Sequence, residues 1–374
     1  MITRKNWSIG STAALFLGAA LLARAAAPVQ VEVLTTDLDS PWGLAQLPDG
    51  RWLVTERSGA LRRLDAHGVR EAIIDNVPKA FVDGQGGLLD VVLHPQFAVN
   101  SKIYLSLAQG ELRHSQLAVV SAELRGDSLR NLQTVFESAP RKTSAHYAGS
   151  LAFMRDGTLL ITVGDGYEEK VLAQKLAVLR GKVVRINGDG SVPTDNPFVG
   201  REGANPLVWS YGHRNPQGLG IDPLTGTVYV SEHGPQGGDE INIIERGVNY
   251  GWPVATHGLD YTGGKISPFK TYEGMREPIL IWDPSIAPAG LTVYRGSEFP
   301  EWNGDLLVGV LRDRQLRRIS VADGKVQGQQ ILLADRNGRF REVQVGIDGA
   351  IYTLAESIDG KERSGQLLRL TRPR

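Results

Sequence analysis

A single pattern recurs six times along this chain, and it leaves few folds open. Each copy runs from Gly or Pro through apolar residues to a tight turn and then into an apolar strand. The copies occupy residues 41–56 (PWGLAQLPDGRWLVTE), 86–108, 149–165 (GSLAFMRDGTLLITVGD), 217–232, 289–311 and 343–356 (VQVGIDGAIYTLAE). Asp49-Gly50, Asp156-Gly157 and Asp348-Gly349 are hairpin turns between two short strands. Most copies lead into a further strand with an Arg- or Ile-rich step, such as LRRLD, GKVVRIN, LRRISV and QLLRLT. Six units spaced roughly 45 to 70 residues apart mark a radially repeated β architecture, because one small sheet cannot bury both its faces alone. The expectation is an all-β, six-bladed β-propeller. The segment at 28–34 (PVQVEVL) is expected to close the ring by pairing with the last blade. A β-sandwich is the competing architecture, and the regular recurrence without a linker speaks against it. One short helix is expected, around 172–179.

The 44 glycines and 19 prolines of the 374 residues suit many short strands. Formal net charge is zero, which argues against a nucleic-acid partner. There is no cysteine, which excludes disulfides and thiolate chemistry. At the N-terminus, Arg4 and Lys5 precede an apolar run at 13–23 and then ARAAA, the three-part pattern of a secretory signal. Residues 1–27 are therefore expected to be removed on export. Residues 28–374 would form one catalytic propeller, periplasmic or secreted, with no membrane span after cleavage.

Polar residues gather at equivalent points of the repeats: Gln85 before the second, His146 before the third, Arg214-Asn215 before the fourth and Arg339-Phe340-Arg341 opening the sixth. Glu232-His233-Gly234-Pro235 and Arg312-Asp313-Arg314 follow strands of the fourth and fifth. Equivalent points share one end of a propeller, so these groups can converge on a positive pocket. Such a pocket suits a small ligand with several carboxylates, which guanidinium groups grip with paired hydrogen bonds.

With these motifs in their order (GQGGLL, the His146 loop, YGHRNPQGL, EHGPQGGDEIN, NYGWP and NGRFREV), the chain resembles the soluble pyrroloquinoline quinone (PQQ)-dependent glucose and aldose sugar dehydrogenases from about Leu38 to Leu370. The resemblance implies oxidation of an aldose sugar at C1 to the lactone, with PQQ and Ca²⁺ as cofactors and an external electron acceptor. His146 resembles the general base, and Arg214 and Asn215 the pair that contacts the quinone oxygens, with Arg214 sharing in catalysis. Gln85, Arg339 and Arg341 resemble cofactor-binding residues, and Tyr261 a cover over the cofactor rings. Gly234 and Pro235 resemble the pair whose carbonyls bind the cofactor's Ca²⁺; Glu240 and the carbonyl of Tyr250 resemble a second, structural Ca²⁺ site. Two positions depart from the pattern. Arg312 stands where Lys is expected near a cofactor carboxylate. Ala145 stands where the larger glucose dehydrogenases carry Asp, so His146 lacks that orienting carboxylate. The other histidines (67, 94, 114, 213, 233 and 257) are expected to be structural or exposed. The functional alternatives are a Ca²⁺-dependent propeller lactonase, which needs Glu, Asn and Asp ligands in the channel, and a non-catalytic binding propeller.

Overall fold

The structure, a computed structural model, describes residues 29–356 and 364–373; the signal-like residues 1–27 lie outside that range. Six four-stranded antiparallel sheets surround a common axis. Their innermost strands are Pro41–Gln46, Leu88–Leu93, Ala148–Phe153, Pro216–Ile221, Pro288–Val293 and Arg339–Val345, one for each blade in chain order. Each inner strand touches that of the next blade, and the sixth touches the first, so the ring is closed. The expected six-bladed propeller is the fold.

Five blades are built from consecutive strands. The sixth takes its outermost strand from the other end of the chain: Gln30–Asp39 pairs antiparallel with Ser364–Thr371. The hairpin turns between inner and second strands form as the Asp-Gly pairs predict. Gly50, Gly157 and Gly349 adopt φ of 90°, 82° and 79°, and each preceding Asp accepts a backbone N–H two residues on. Second strands such as Trp52–Glu56, Leu159–Val163 and Val228–Glu232 are buried along their whole length, because neighbouring blades cover both faces. The apolar core is accordingly divided into six clusters, each shared by two successive blades. The helix expected around 172–179 is instead a single 3₁₀ turn, Lys170–Gln174. The Lys182 ammonium holds that turn from below, donating to the carbonyls of Leu172, Ala173 and Arg180 at 2.6–3.1 Å.

Two features of the inner strands position the site. Each begins opposite the end of its blade's second strand, as in Pro41 with Glu56, Ala148 with Val163, Pro216 with Glu232 and Arg339 with Glu356. Residues just before an inner strand and just after a second strand thus meet at one end of the ring. All six inner strands also slip register against the second strand near that end. Such bulges twist a strand locally and re-aim its side chains, here around the mouth of the channel.

Candidate active site

The third blade supplies the most reactive-looking pair. His146 sits at φ 52° just ahead of its inner strand, and Asp165 follows the second strand. His146 Nδ1 lies 2.7 Å from Asp165 Oδ1. The carboxylate also accepts the Tyr167 N–H at 2.7 Å on Oδ1 and the Trp252 Nε1–H at 2.8 Å on Oδ2. Burial alone would raise the Asp165 pKa, but the bond to His146, its charge and the Tyr167 N–H hold it below the usual carboxylate value. An ionised Asp165 makes Nδ1 the protonated nitrogen and leaves Nε2 as a free base. Burial, only partly opposed by Asp165, lowers the His146 pKa, so the ring is neutral at neutral pH. The orienting carboxylate missing at Ala145 is therefore supplied by Asp165, nineteen residues downstream of His146. On its other side His146 is held through its backbone: its N–H donates to Gln85 Oε1 at 2.7 Å, and its carbonyl accepts from the buried Arg141 at 2.6 Å.

That carbonyl also explains Gly164. A Cβ there would lie 2.0 Å from the His146 oxygen. Gly164→Ala is expected to destabilise the protein by about 3 kcal/mol in urea unfolding, the upper end of overpacking costs, because the obstacle is backbone and cannot rotate away.

The fourth blade repeats the arrangement with a different outcome. Glu232 ends its second strand, accepts from His213 Nδ1 at 2.9 Å and also accepts the Arg214 backbone N–H. His213 Nε2 meets Ser210 Oγ at 2.9 Å and its ring stacks on Tyr250, so both nitrogens are consumed and this histidine is structural. The pair fixes the backbone from which Arg214 projects. The Arg214 guanidinium lies over the rings of Trp252 and Tyr261, at 5.4 and 5.9 Å. It donates to the carbonyls of Gly234 (2.6 Å) and His233 (3.1 Å) and to the Tyr261 hydroxyl (3.2 Å). Trp252 thus links the His146–Asp165 pair to Arg214.

Two adjoining cavities occupy the channel mouth, of about 410 and 430 Å³, in the range of small-molecule sites. The first brings together Gln85, Arg339 and Arg341 with Arg57, Trp42 and Gln217; among the described residues Glu356 is the one acidic side chain on its wall. The second holds Gly234, Pro235, Tyr261 and Arg312, and His233 and Ala287 border both. Arg341 is buried with its guanidinium 3.9 Å from the centre of the Trp42 ring; burial pushes its pKa down to about 10, which leaves it cationic. Burial and the nearby Arg214 push His233 down to about 3, so this ring is neutral, and it forms part of the cavity wall rather than a purely structural support. Asn215 accepts from Gln217 Nε2 at 2.9 Å through its carbonyl oxygen. Two buried donors around this mouth, Asn215 Nδ2 and Arg341 Nε, and the ring nitrogen His233 Nε2 have no hydrogen-bond partner among the described residues. Buried polar groups are normally satisfied, so such a cluster beside a cationic cavity fits a multiply charged, acceptor-rich ligand.

Oxygen donors lie on the far side. Asp239 accepts the N–H groups of Gly234, Ile286 and Ala287 and so shapes the Gly234–Pro235 turn. The Pro235 carbonyl accepts from Ser285 Oγ at 3.2 Å, and Arg312 reaches the Ser285 carbonyl at 2.7 Å. A third, small cavity is bordered by Glu232, Gly238, Glu240 and Tyr250. Burial, then the neighbouring Glu232, pushes the Glu240 pKa up to about 8. Neighbouring buried side-chain carboxyl groups are an oxygen donor set that suits a hard cation such as Ca²⁺. No group of three or more His, Cys, Asp or Glu side chains that could hold a metal occurs among the described residues. A metal here would depend on backbone carbonyls and single carboxylates. Sequence reading missed Asp165, Trp252 and Arg141, and named Glu232 without giving it a role. Asp165 and Glu232 carried a signal, since an acid ends four of the six repeat copies (Glu56, Asp165, Glu232, Glu356).

Comparison with known proteins places this architecture. The model of the Glucose / Sorbosone dehydrogenase family matches residues 38–369. The chain is 41% identical to the aldose sugar dehydrogenase YliI of Escherichia coli (strain K12), over 93% of this chain and 94% of that protein. The crystal structure of the soluble aldose sugar dehydrogenase from Escherichia coli, in its apo-form, superposes with a TM-score of 0.87 at 39% identity, covering 92% of this chain and all of that one. The PQQ-bound aldose sugar dehydrogenase of Streptomyces coelicolor superposes with a TM-score of 0.75 at 30% identity, covering 92% and 99% of the two chains.

Proposed function

The chain belongs to the glucose/sorbosone dehydrogenase family and is an oxidoreductase acting on sugar CH–OH groups; from that premise we propose that it oxidises aldoses at C1 to the lactone, with PQQ and Ca²⁺ bound in the channel mouth and an external acceptor taking the electrons. One observation carries this reading: an oriented, neutral imidazole beside a cation-walled cavity whose buried donors lack partners. No helix among the described residues is long and apolar enough to cross a membrane. The sequence pattern of residues 1–27 supports export to the periplasm.

His146 Nε2 takes the proton of the anomeric hydroxyl as the C1 hydrogen leaves with its electron pair, and the C1–O bond becomes the lactone carbonyl. Asp165 keeps the base in the correct tautomer and stabilises the imidazolium that forms. Arg214 and the unpaired Asn215 Nδ2 stabilise negative charge that arrives with the hydride. Gln85, Arg312, Arg339 and Arg341 would hold the carboxylates and edges of PQQ, and Tyr261 would cover one face. Gly234 and Pro235 would offer carbonyls to one Ca²⁺, and Glu240 with Tyr250 to a second. When bound, PQQ supplies the two-electron acceptor and its Ca²⁺ the Lewis acid.

The test is dye-linked aldose oxidation by purified apo-protein, with PQQ and Ca²⁺ each added or withheld. Activity that requires both is expected; absence of PQQ binding would overturn the reading. Within that experiment, Arg341→Ala is expected to weaken PQQ affinity about 10- to 100-fold, the worth of one charge-assisted hydrogen-bonding group. Fluorescence titration would measure it, since Trp42 lies against the guanidinium.

A further inference from the structure

Tyr167 is not needed for any role described above, yet it stands beside the base. It follows Asp165 by two residues, on a turn where Gly166 and Tyr167 adopt φ of 79° and 71° in succession. A bulky residue in that region is uncommon and strained, and such strain persists where the surroundings enforce it. Here the enforcing contacts are explicit. The Tyr167 N–H donates to Asp165 Oδ1 at 2.7 Å, and the Gly166 carbonyl accepts from Thr143 Oγ1 at 2.6 Å. The backbone is fastened while the side chain is not enclosed: the residue is 47% exposed. Its hydroxyl has no partner among the described residues. A tyrosine kept for packing would bury its ring and satisfy its hydroxyl; this one does neither.

Its ring meets the His146 ring edge-on, with centroids 5.1 Å apart at 82°. It also lies nearly parallel to the exposed Tyr261 ring, 6.4 Å away at 27°. The two rings come from different blades and form one aromatic wall, flanked by the base on one side and Arg214 on the other. Sugar rings present apolar C–H faces and polar hydroxyl edges, and an aromatic face with a free phenol at its tip matches both.

We propose that Tyr167 is a substrate-recognition residue: beside Tyr261, which covers the cofactor rings, it forms the platform on which the pyranose ring rests with its anomeric hydroxyl toward His146. This inference rests on the sugar-oxidation reading and adds the group that selects the cyclic sugar. Tyr167 and Tyr261 are both exposed, so the platform grips the reducing-end ring and leaves a second sugar unit in solvent.

The experiment compares holo wild type with Tyr167→Asn, which tolerates the left-handed backbone, and Tyr167→Phe. Steady-state kinetics on glucose and maltose would be paired with calorimetric binding of 1,5-anhydroglucitol, which has no anomeric hydroxyl to oxidise. For Tyr167→Asn, KM for both sugars and Kd for the analogue are expected to rise about tenfold, the scale of one aromatic contact, with the pH profile of kcat unchanged. Tyr167→Phe is expected to lose only about two- to threefold, since the ring remains. Unchanged KM and Kd in Tyr167→Asn would overturn the proposal. So would a fall in kcat with a displaced pH profile, which would make Tyr167 a prop for Asp165. If wild type itself fails to oxidise aldoses, the parent reading falls, and binding of the analogue alone still decides the role of Tyr167.

Discussion

Replacing His146 by Asn is expected to lower kcat for aldose oxidation by about 10²- to 10⁴-fold, the range for loss of a positioned general base, while PQQ binding is retained. Asn is the informative choice because residue 146 sits at φ 52°, a conformation Asn adopts readily, and because its amide can still donate to Asp165. The pH dependence of the wild type checks the same assignment. Burial lowers the His146 pKa. Activity therefore stays high as pH falls past the usual histidine value of about 6.5, and is lost only at lower pH, where Nε2 becomes protonated. An acid limb above that value, or a His146→Asn variant retaining more than about a tenth of wild-type kcat, would remove His146 from the role of base.

Asp165→Asn is expected to produce a loss of similar size, about 10²-fold or more, by a different route. The same exchange in a Ser-His-Asp triad costs about 10⁴-fold because the imidazole is held in the wrong tautomer. Here each carboxylate oxygen already accepts a donor other than His146, the Tyr167 N–H on one and the Trp252 Nε1–H on the other. The NH₂ group introduced by the exchange must then face a donor whichever way the amide turns. One buried hydrogen bond is lost in addition to the tautomer, at about 1–3 kcal/mol of stability. Because Asp165 raises the His146 pKa against burial, whatever activity remains should show its acid limb at still lower pH. A variant with wild-type kcat and an unmoved limb would show that Asp165 does not orient the base. Thermal unfolding and PQQ titration of the same protein separate this from general collapse.

Much of the ring was legible in the sequence because a propeller repeats its chemistry. The Asp-Gly turns fixed the hairpins, and PVQVEVL, apolar and without a hairpin partner nearby, pointed to a strand completed from elsewhere. The helix around 172–179 was misjudged because its apolar residues belong to the loop that joins the second and third strands of the third blade; Lys182, buried beneath and bonded to three carbonyls, stabilises one 3₁₀ turn in place of a longer helix. The site was legible only in part. Residues before the inner strands stood out as clusters of Arg, Asn, Gln and His. Their partners did not, because a single acid after a strand looks like an ordinary strand end. Asp165 gains its meaning from lying across the hairpin from His146, and Trp252 from a loop of the next blade that reaches back to it. The register slips in the inner strands, which turn these groups toward the axis, leave no mark in composition.

The pairing of Gln30–Asp39 with Ser364–Thr371 has a consequence for biogenesis. Gln30–Asp39 is synthesised long before Ser364–Thr371, so the nascent chain carries an open flank until the partner strand emerges. The entropy of joining such distant segments grows only logarithmically with the span, which makes the delay one of timing more than of stability. During that interval two copies can exchange first strands, each completing the other's ring. Fusing the ends through a short linker and opening the chain at the exposed Gly324 turn would move this vulnerable seam to the fifth blade. The permuted protein would assemble its sixth blade from contiguous sequence and should show fewer strand-exchanged dimers when refolded at high concentration.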